Sequence, residues 1–468
     1  MKEKSAFIKN ILYAFLAQGI ALFLSVLMSL IVPKILGVEQ YSYWQLFIFY
    51  TGYVGFFHFG LNDGVYLRLG GQKYEELNYS GLGGEMRVLF YAELIISIII
   101  SLGVVFSNLV YERKFVLIFT VFYLIVSNLS LFLGYIFQAV NLTKIFSLSV
   151  IWDRLLVIFC FGFLLYFKVT EFYIYVLCYS VSKLSSLIYC IVKGRKIVFS
   201  AKDSFRSSLK WVKTDVLAGI NIMVANIAGS LILGVGRMVV DQRWGIESFG
   251  KFSFSLSLTN FFLLFISQIS MVLFPALRQV SEDKMKSAYV KIRFLVSVLL
   301  PCSFVIYVPM KIFLMNWLPS YEESLRYMIL LLPICTFDGK MQLLCNTYLK
   351  VLRKEKKLLW NNITALAVSI GMCLFCGYVL DSVIAVAVSM VLAIAVRSIL
   401  SELYLGGLMD ERLILQISGE CILAIIFIFV HWFFIDWIAF ALILFSYLIF
   451  LGISYWKHKD GLYGGKQK

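Results

Sequence analysis

Near-continuous apolar runs of about 20 residues recur along the whole chain, with Leu94–Val105 and Cys421–Val430 among the purest. A barrel strand would alternate apolar and polar positions, so these runs are helices, and helices apolar on every face belong in lipid. About fourteen segments have the length for one crossing: 10–33, 43–67, 86–109, 114–139, 145–167, 171–193, 213–237, 248–274, 289–310, 325–349, 358–380, 382–406, 413–432 and 435–456. With 61% hydrophobic and 15% charged residues, a soluble globule would lack the polar surface to cover itself. The expected fold is an all-α polytopic membrane protein of about 14 transmembrane helices. The first segment is too long for a signal peptide and lacks a small-residue cleavage site, so it is expected to remain.

Two stretches 208 positions apart read as versions of each other: Leu36-Gly-Val-Glu-Gln-Tyr-Ser-Tyr-Trp44 and Trp244-Gly-Ile-Glu-Ser-Phe-Gly-Lys-Phe252. The same offset pairs Gln18 with Asn226, Ser29 with Arg237, Thr51 with Thr259 and Asn62 with Ser270. An internal duplication follows. The basic stretch 193–213 lies between the sixth and seventh segments, so the chain divides into a six-helix bundle at 1–200, a second at 201–406, and two further helices with a tail at 407–468. Six is an even number, so the halves run the same way through the membrane as a parallel internal repeat.

Most of the 42 Lys and Arg residues fall on the face that carries the amino terminus, clustering at 2–9, 68–87, 193–213, 278–293, 350–357 and 457–468. That face is cytoplasmic by the positive-inside rule, and both termini are expected there. The net charge of +15 is explained by this bias and by anionic lipid, so no nucleic-acid partner is implied. The nine cysteines lie in apolar segments and behave as small hydrophobes. Cys373-Leu-Phe-Cys376 has ligand spacing but no second pair or nearby histidine, so no metal is expected. Asn-x-Ser/Thr matches at Asn78, Asn128, Asn141 and Asn362 lie in helices or on the cytoplasmic side, beyond glycosylation.

Polar residues at membrane depth carry the functional signal. At 100° per residue, Asn226, Ser230, Gly234, Arg237 and Asp241 share an arc of about 80°, and Gln18, Ser25 and Ser29 one of about 40°. The second segment gathers Thr51, Gly55, His58 and Asn62, the fourth Ser127, Ser130, Gly134, Gln138 and Asn141, and the tenth Asp338, Gln342 and Asn346. Such stripes either pack helices together or line a water-filled cavity; their recurrence in both halves favours the cavity.

Charges near mid-membrane cost about 2.5–3.5 kcal/mol each on insertion scales. They are Glu93, Asp153, Arg154, Lys183, Asp338, Lys340 and Arg397. Asp153 and Arg154 point about 100° apart, so each pairs across helices rather than with its neighbour. The cations Arg154, Lys183, Lys340 and Arg397 outnumber the carboxylates, and a cavity with that surplus suits an anionic passenger such as a diphosphate or an acidic sugar. Glu93, Asp153 and Asp338 are candidates for coupling to a proton or sodium counter-ion. Buried salt bridges that fix helix register are the alternative for all of them.

Pro33-Lys-Ile-Leu-Gly37 with Tyr41 and Trp44, then Phe59-Gly-Leu61 with Arg68, resembles polysaccharide transporters of the Wzx type, within the multidrug/oligosaccharidyl-lipid/polysaccharide exporter superfamily. Gly236-Arg237, Asp241, Gly245-Ile-Glu247, Phe249-Gly250, Leu273-Phe-Pro275 and the charged turn Leu352–Lys357 are similar as well. A tyrosine-glycine step common after the family's first helix is Tyr41-Ser42 here. The resemblance implies two bundles around a central cavity lined by helices one, two, seven and eight. It also implies transfer of an undecaprenyl-diphosphate-linked oligosaccharide across the bacterial cytoplasmic membrane, with a polysaccharide polymerase in the same pathway. No cofactor and no catalytic residue is expected. Arg237, at the first cluster of the second half, joins the substrate-facing cations under this reading. A drug or cation exporter of the same fold, a peptidoglycan-precursor flippase, and a glycan polymerase or ligase remain open; the last generally carries a long external loop, which this chain lacks.

Overall fold

The computed structural model describes residues 19–201, 204–278, 282–411 and 413–464. Gln18, Lys2, Lys4, Lys9, Lys202, Arg412, Lys466 and Lys468 lie outside them, as does the side chain of Ser270. The described residues form helices and no strand, and the chain is an all-α polytopic membrane protein. It resolves into two compact units, Met1–Ile227 and Ala228–Lys468.

The first unit contains α1 (Gly19–His58), α2 (Leu61–Leu69), α3 (Tyr79–Phe106), α4 (Tyr111–Ala139), α5 (Thr143–Tyr166), α6 (Phe172–Lys193) and the start of α7 (Phe205–Arg278). The apolar helix α4 is its hub, packing on α1, α2, α3, α5 and α6. The burial pattern is that of a protein in lipid. On α3 the residues Ile95, Ile98, Ile99, Leu102 and Phe106 face outward at helical spacing, whereas Glu93 and Ser97 are buried. On α6, Leu177, Val181, Ile188 and Val192 face outward while Ser180, Ser182 and Ser186 are buried. Water would demand the reverse.

The second unit holds the rest of α7, then α8 (Glu282–Leu299), α9 (Cys302–Trp317), α10 (Glu322–Leu331), α11 (Pro333–Lys340), α12 (Asn346–Val351), α13 (Glu355–Tyr378), α14 (Val383–Leu408), α15 (Ile414–Phe433) and α16 (Asp436–Gly464). Here α14 is central, packing on α10, α11 and α13. A core of Val240, Phe252, Leu331, Ile334, Met390 and their neighbours fills this unit.

Eleven helices among the described residues are long and apolar enough to span a membrane, or twelve if Pro319–Leu331 and Pro333–Val351, bent by 47°, form one crossing. This is fewer than fourteen because two pairs of the expected segments each run on as one helix. Segments 10–33 and 43–67 meet in α1, and 213–237 and 248–274 meet in α7. The physical reason is a break of a single residue. Gly37 sits at φ 73°, ψ 177° and Gly245 at φ 81°, ψ −176°, a region essentially closed to any side chain. A straight helix of 40 residues, the length of α1, would measure about 60 Å, twice an apolar core of about 30 Å. With each glycine taken as an elbow, the arms fit one crossing each.

The two elbows are the 208-residue repeat in three dimensions. Tyr41 and Phe249 are both fully buried, as are Trp44 and Phe252. Trp44 rests on Phe47, Phe161, Tyr175 and Tyr179; these aromatics anchor the first elbow to α5 and α6. Ahead of it, Leu27–Ile31 forms a π turn, next to Pro33, which has no N–H to give.

Candidate functional site

The polar residues singled out in the first unit fall into separate clusters. On α5 and α6, Asp153 pairs with Lys183 at 3.9 Å, and Arg154 donates from Nη1 to the Tyr179 hydroxyl at 3.3 Å. Adjacent Asp153 and Arg154 therefore both find partners across on α6 rather than in each other. Tyr179 stacks on Tyr123 and also meets Trp44, so Arg154 is tied to the aromatic anchor of the elbow.

A second cluster surrounds a break at the end of α1. The segment Val54–His58 tightens to a 3-10 helix, and Phe59 and Gly60 both take left-handed backbone before α2 begins. His58 Nδ1 accepts from the Gly60 N–H at 3.0 Å, and its Nε2 lies 3.9 Å from Asp63. Asn128 on α4 donates to the Val54 carbonyl at 2.9 Å and to Glu93 Oε1 at 2.6 Å. Asn62 donates to the Asn128 carbonyl at 3.2 Å. Asn62, Glu93 and Asn128 are wholly buried. Asn128 went unnoticed in the sequence because, taken alone, it reads as a glycosylation match within a helix.

The other members of the stripes are spread out. Ser29 is buried in the π turn and Ser25 half-buried. Thr51 returns its hydroxyl to the Ile48 carbonyl of its own helix at 2.9 Å. Asn226 and Ser230 are exposed on α7, and Asp241 is buried.

At the C-terminal end of α2, Arg68 bridges two carboxylates, at 2.7 Å from Glu85 and 2.7 Å from Asp215. Trp211 covers its guanidinium at 5.0 Å. In the sequence Arg68 stands among the orienting basic residues and in the family-like Phe59–Arg68 stretch, with no partner visible. Its partners on α3 and α7 are far away in sequence, and only folding reveals them.

In the second unit, Arg397 on α14 is hydrogen-bonded to Asp338 on α11, whose other oxygen accepts from Gln342 Nε2 at 2.7 Å. Beside them lies a four-charge network. Lys340 sits 2.6 Å from Glu402 and also contacts Glu420, while Arg293 reaches Glu402 at 2.6 Å and Glu420 at 3.8 Å. All four side chains are at most 4% exposed. Arg237 donates to Ser253 at 3.1 Å with its guanidinium 5.1 Å from the Phe249 ring, directly behind the Gly245 elbow.

These neighbours correct the expected surplus of positive charge. Arg293, Glu402 and Glu420 join the buried set, and among the described residues the buried carboxylates outnumber the buried cations. In the sequence Arg293 falls in the basic cluster at 278–293, and Glu402 lies toward the end of its segment. Depth along one helix conceals a pairing that runs between helices.

The sequence matches the model of a family described as polysaccharide biosynthesis protein over residues 7–281. The chain belongs to this family. No curated protein matches it. Among solved structures, this member of the polysaccharide biosynthesis family is similar to the lipid II flippase MurJ in an inward closed conformation. The identity is 14%, with 96% of this chain and 99% of that chain covered, at a TM-score of 0.66. It is also similar to an inward-facing multidrug resistance MATE transporter of the MOP superfamily, with 14% identity, 82% and 94% coverage and a TM-score of 0.57. A MOP-superfamily transporter from Pyrococcus furiosus, described by the reversed polarity of its binding pocket, gives 12% identity, 87% and 96% coverage and a TM-score of 0.52. At these identities the likeness shows a shared fold.

Proposed function

We propose that the protein is a flippase. It carries an undecaprenyl-diphosphate-linked oligosaccharide repeat unit from the cytoplasmic to the outer leaflet of the bacterial cytoplasmic membrane, for O-antigen, capsule or exopolysaccharide assembly by a polymerase downstream. The observation that carries this reading is a coincidence of two independent matches. The sequence belongs to a polysaccharide biosynthesis family, and the fold spans 99% of a lipid II flippase. Transport rather than catalysis is the activity both support.

Alternating access would move the helices of 1–200 against those of 201–406, with 407–468 appended and both termini cytoplasmic. The elbows at Gly37 and Gly245 give each half the same bend, as a repeat-based transporter needs. A diphosphate meets guanidinium and ammonium groups by exchanging partners: Arg154, Lys183, Arg397 and Arg237 are held by side chains that a phosphate oxygen could replace. Lys340, enclosed between two glutamates at 0% exposure, suits a structural charge better than a substrate contact.

Deleting the gene should abolish the surface glycan and leave its lipid-linked repeat unit on the cytoplasmic leaflet. Intact surface glycan without a compensating flippase would reject the reading. The MATE likeness supports a second one, a drug or cation exporter, and drug sensitivity with unchanged glycan would select it.

A further inference from the structure

The cluster at the end of α1 contains more acceptors than donors. Among the described residues, Asn62 Oδ1, Asn128 Oδ1, Glu93 Oε2 and Ser97 Oγ are buried without a hydrogen-bond partner. The orientation of both amides is fixed. The Asn62 NH2 group faces the Asn128 carbonyl, and that of Asn128 faces the Val54 carbonyl and Glu93, so in each case nitrogen must point at an acceptor and the oxygen is turned away. Ser97 lies one turn beyond Glu93 on the same face of α3. Among the described residues no ion pair reaches Glu93, and His58 and Asp63 beside the break face each other at 3.9 Å. A wholly buried lone carboxylate must either take up a proton or be held by a compensating positive charge.

We propose that Glu93, Asn62, Asn128 and Ser97 form a sodium site. Hard oxygen ligands on a hard cation, one of them a carboxylate, balance a single charge and match a monovalent ion rather than a divalent one. Two amide oxygens held as acceptors by their own anchored NH2 groups are cation ligands, whereas a proton relay would need only the carboxylate. The break in α1 serves the same end, because an interrupted membrane helix leaves backbone carbonyl dipoles available to an ion. The site ties α3 and α4 to the interrupted end of α1. Sodium binding would therefore stabilise one arrangement of that break. The transport reading bears on what bound sodium drives, and the binding itself is independent of it.

The test uses the purified full-length protein in detergent, with NaCl compared against choline chloride at equal ionic strength. Sodium at about 100-fold over its Kd should raise Tm by about 3 °C. Glu93→Gln, nearly isosteric, should abolish the shift, and Ser97→Ala should move it to higher sodium concentration. Direct binding of radioactive sodium to the wild-type protein, displaced by unlabelled sodium, guards against a variant that fails to fold. A wild-type protein that binds no sodium and whose Tm ignores it overturns the proposal. So does an equal sodium shift in Glu93→Gln, which would place the ion elsewhere. A wild-type protein that neither binds sodium nor responds to it, yet supports a normal surface glycan, would leave the flippase reading standing and this site refuted.

Discussion

Gly64 and Asp215 are in backbone contact: a Cβ on Gly64 would lie 1.9 Å from the Asp215 carbonyl oxygen. One turn away the relation is reciprocal, a Cβ on Gly219 falling 2.1 Å from the Gly60 carbonyl oxygen. Small residues at this spacing let α2 and α7 close to backbone distance. Gly64→Ala should therefore destabilise the protein by about 1–3 kcal/mol, measured as a fall in Tm. Gly103→Ala, where nothing lies within 4 Å, should leave Tm unchanged or slightly higher. Equal Tm values for the two variants would sink the close-approach argument.

The elbows make a different demand. At Gly37 and Gly245 there is open space for a Cβ, so only the backbone conformation excludes a side chain. Alanine at either position should cost about 1–3 kcal/mol, and by similar amounts because the two conformations match. Membrane-inserted protein and Tm are the measurements. A large loss at one elbow with none at the other would deny them a common role.

Removing Lys340 leaves Glu402 and Glu420 facing each other with Arg293 alone. Lys340→Ala should cost about 3–5 kcal/mol and lower protein abundance, and Lys340→Met with Glu420→Gln should recover most of it. Surface glycan normalised to inserted protein separates the roles. Normalised export near wild type in the double variant marks Lys340 as structural. Abundance restored while export stays lost returns it to the substrate path.

Arg68 offers a fork that a lysine lacks. Its Nε and Nη2 grip Asp215 together, at 2.9 and 2.7 Å, while Nη2 also donates to Glu85 at 2.7 Å, so Arg68→Lys should keep the charge and lose part of the stability. Arg68→Ala should lose more, and the further changes Glu85→Gln and Asp215→Asn should restore abundance by removing the stranded carboxylates. Thermal stability of the purified variants decides the order.

Topology is tested by accessibility. Tags within 204–212 should be cytoplasmic and tags within 317–322 external. A tag at 317–322 protected from an external reagent would reverse the assignment of faces.

Much of this architecture was legible in the sequence because lipid imposes one rule, apolar outward, on every span. The elbow repeat was legible because Leu36-Gly37 and Trp244-Gly245 keep a glycine where no other residue fits. The angular offset of Asp153 and Arg154 likewise foretold partners on a neighbouring helix, which is α6 for both. The candidate site was less legible. Glu402 and Glu420 are unremarkable on their own helices, and their meaning lies in Lys340 and Arg293 opposite. Asn128 gains its role from a 3-10 turn in another segment, and helical periodicity does not foresee a broken helix. The number of spans was blurred for the same reason, since a one-residue break leaves hydrogen bonding almost continuous through α1 and α7.

The network around Lys340 also sets a timetable for making the protein. Glu420 follows Lys340 by 80 residues and Glu402 follows Arg293 by 109; at synthesis rates of about 5–20 residues per second, the first interval is about 4–16 s. Until α14 and α15 emerge from the ribosome, α8 and α11 wait with unanswered positive charge in or beside the bilayer. Helix α15, through Glu420, therefore completes a charge balance begun on α8 and α11. Nascent chains stopped before 414 would leave Glu402 alone to answer both Arg293 and Lys340, with one buried positive charge unbalanced.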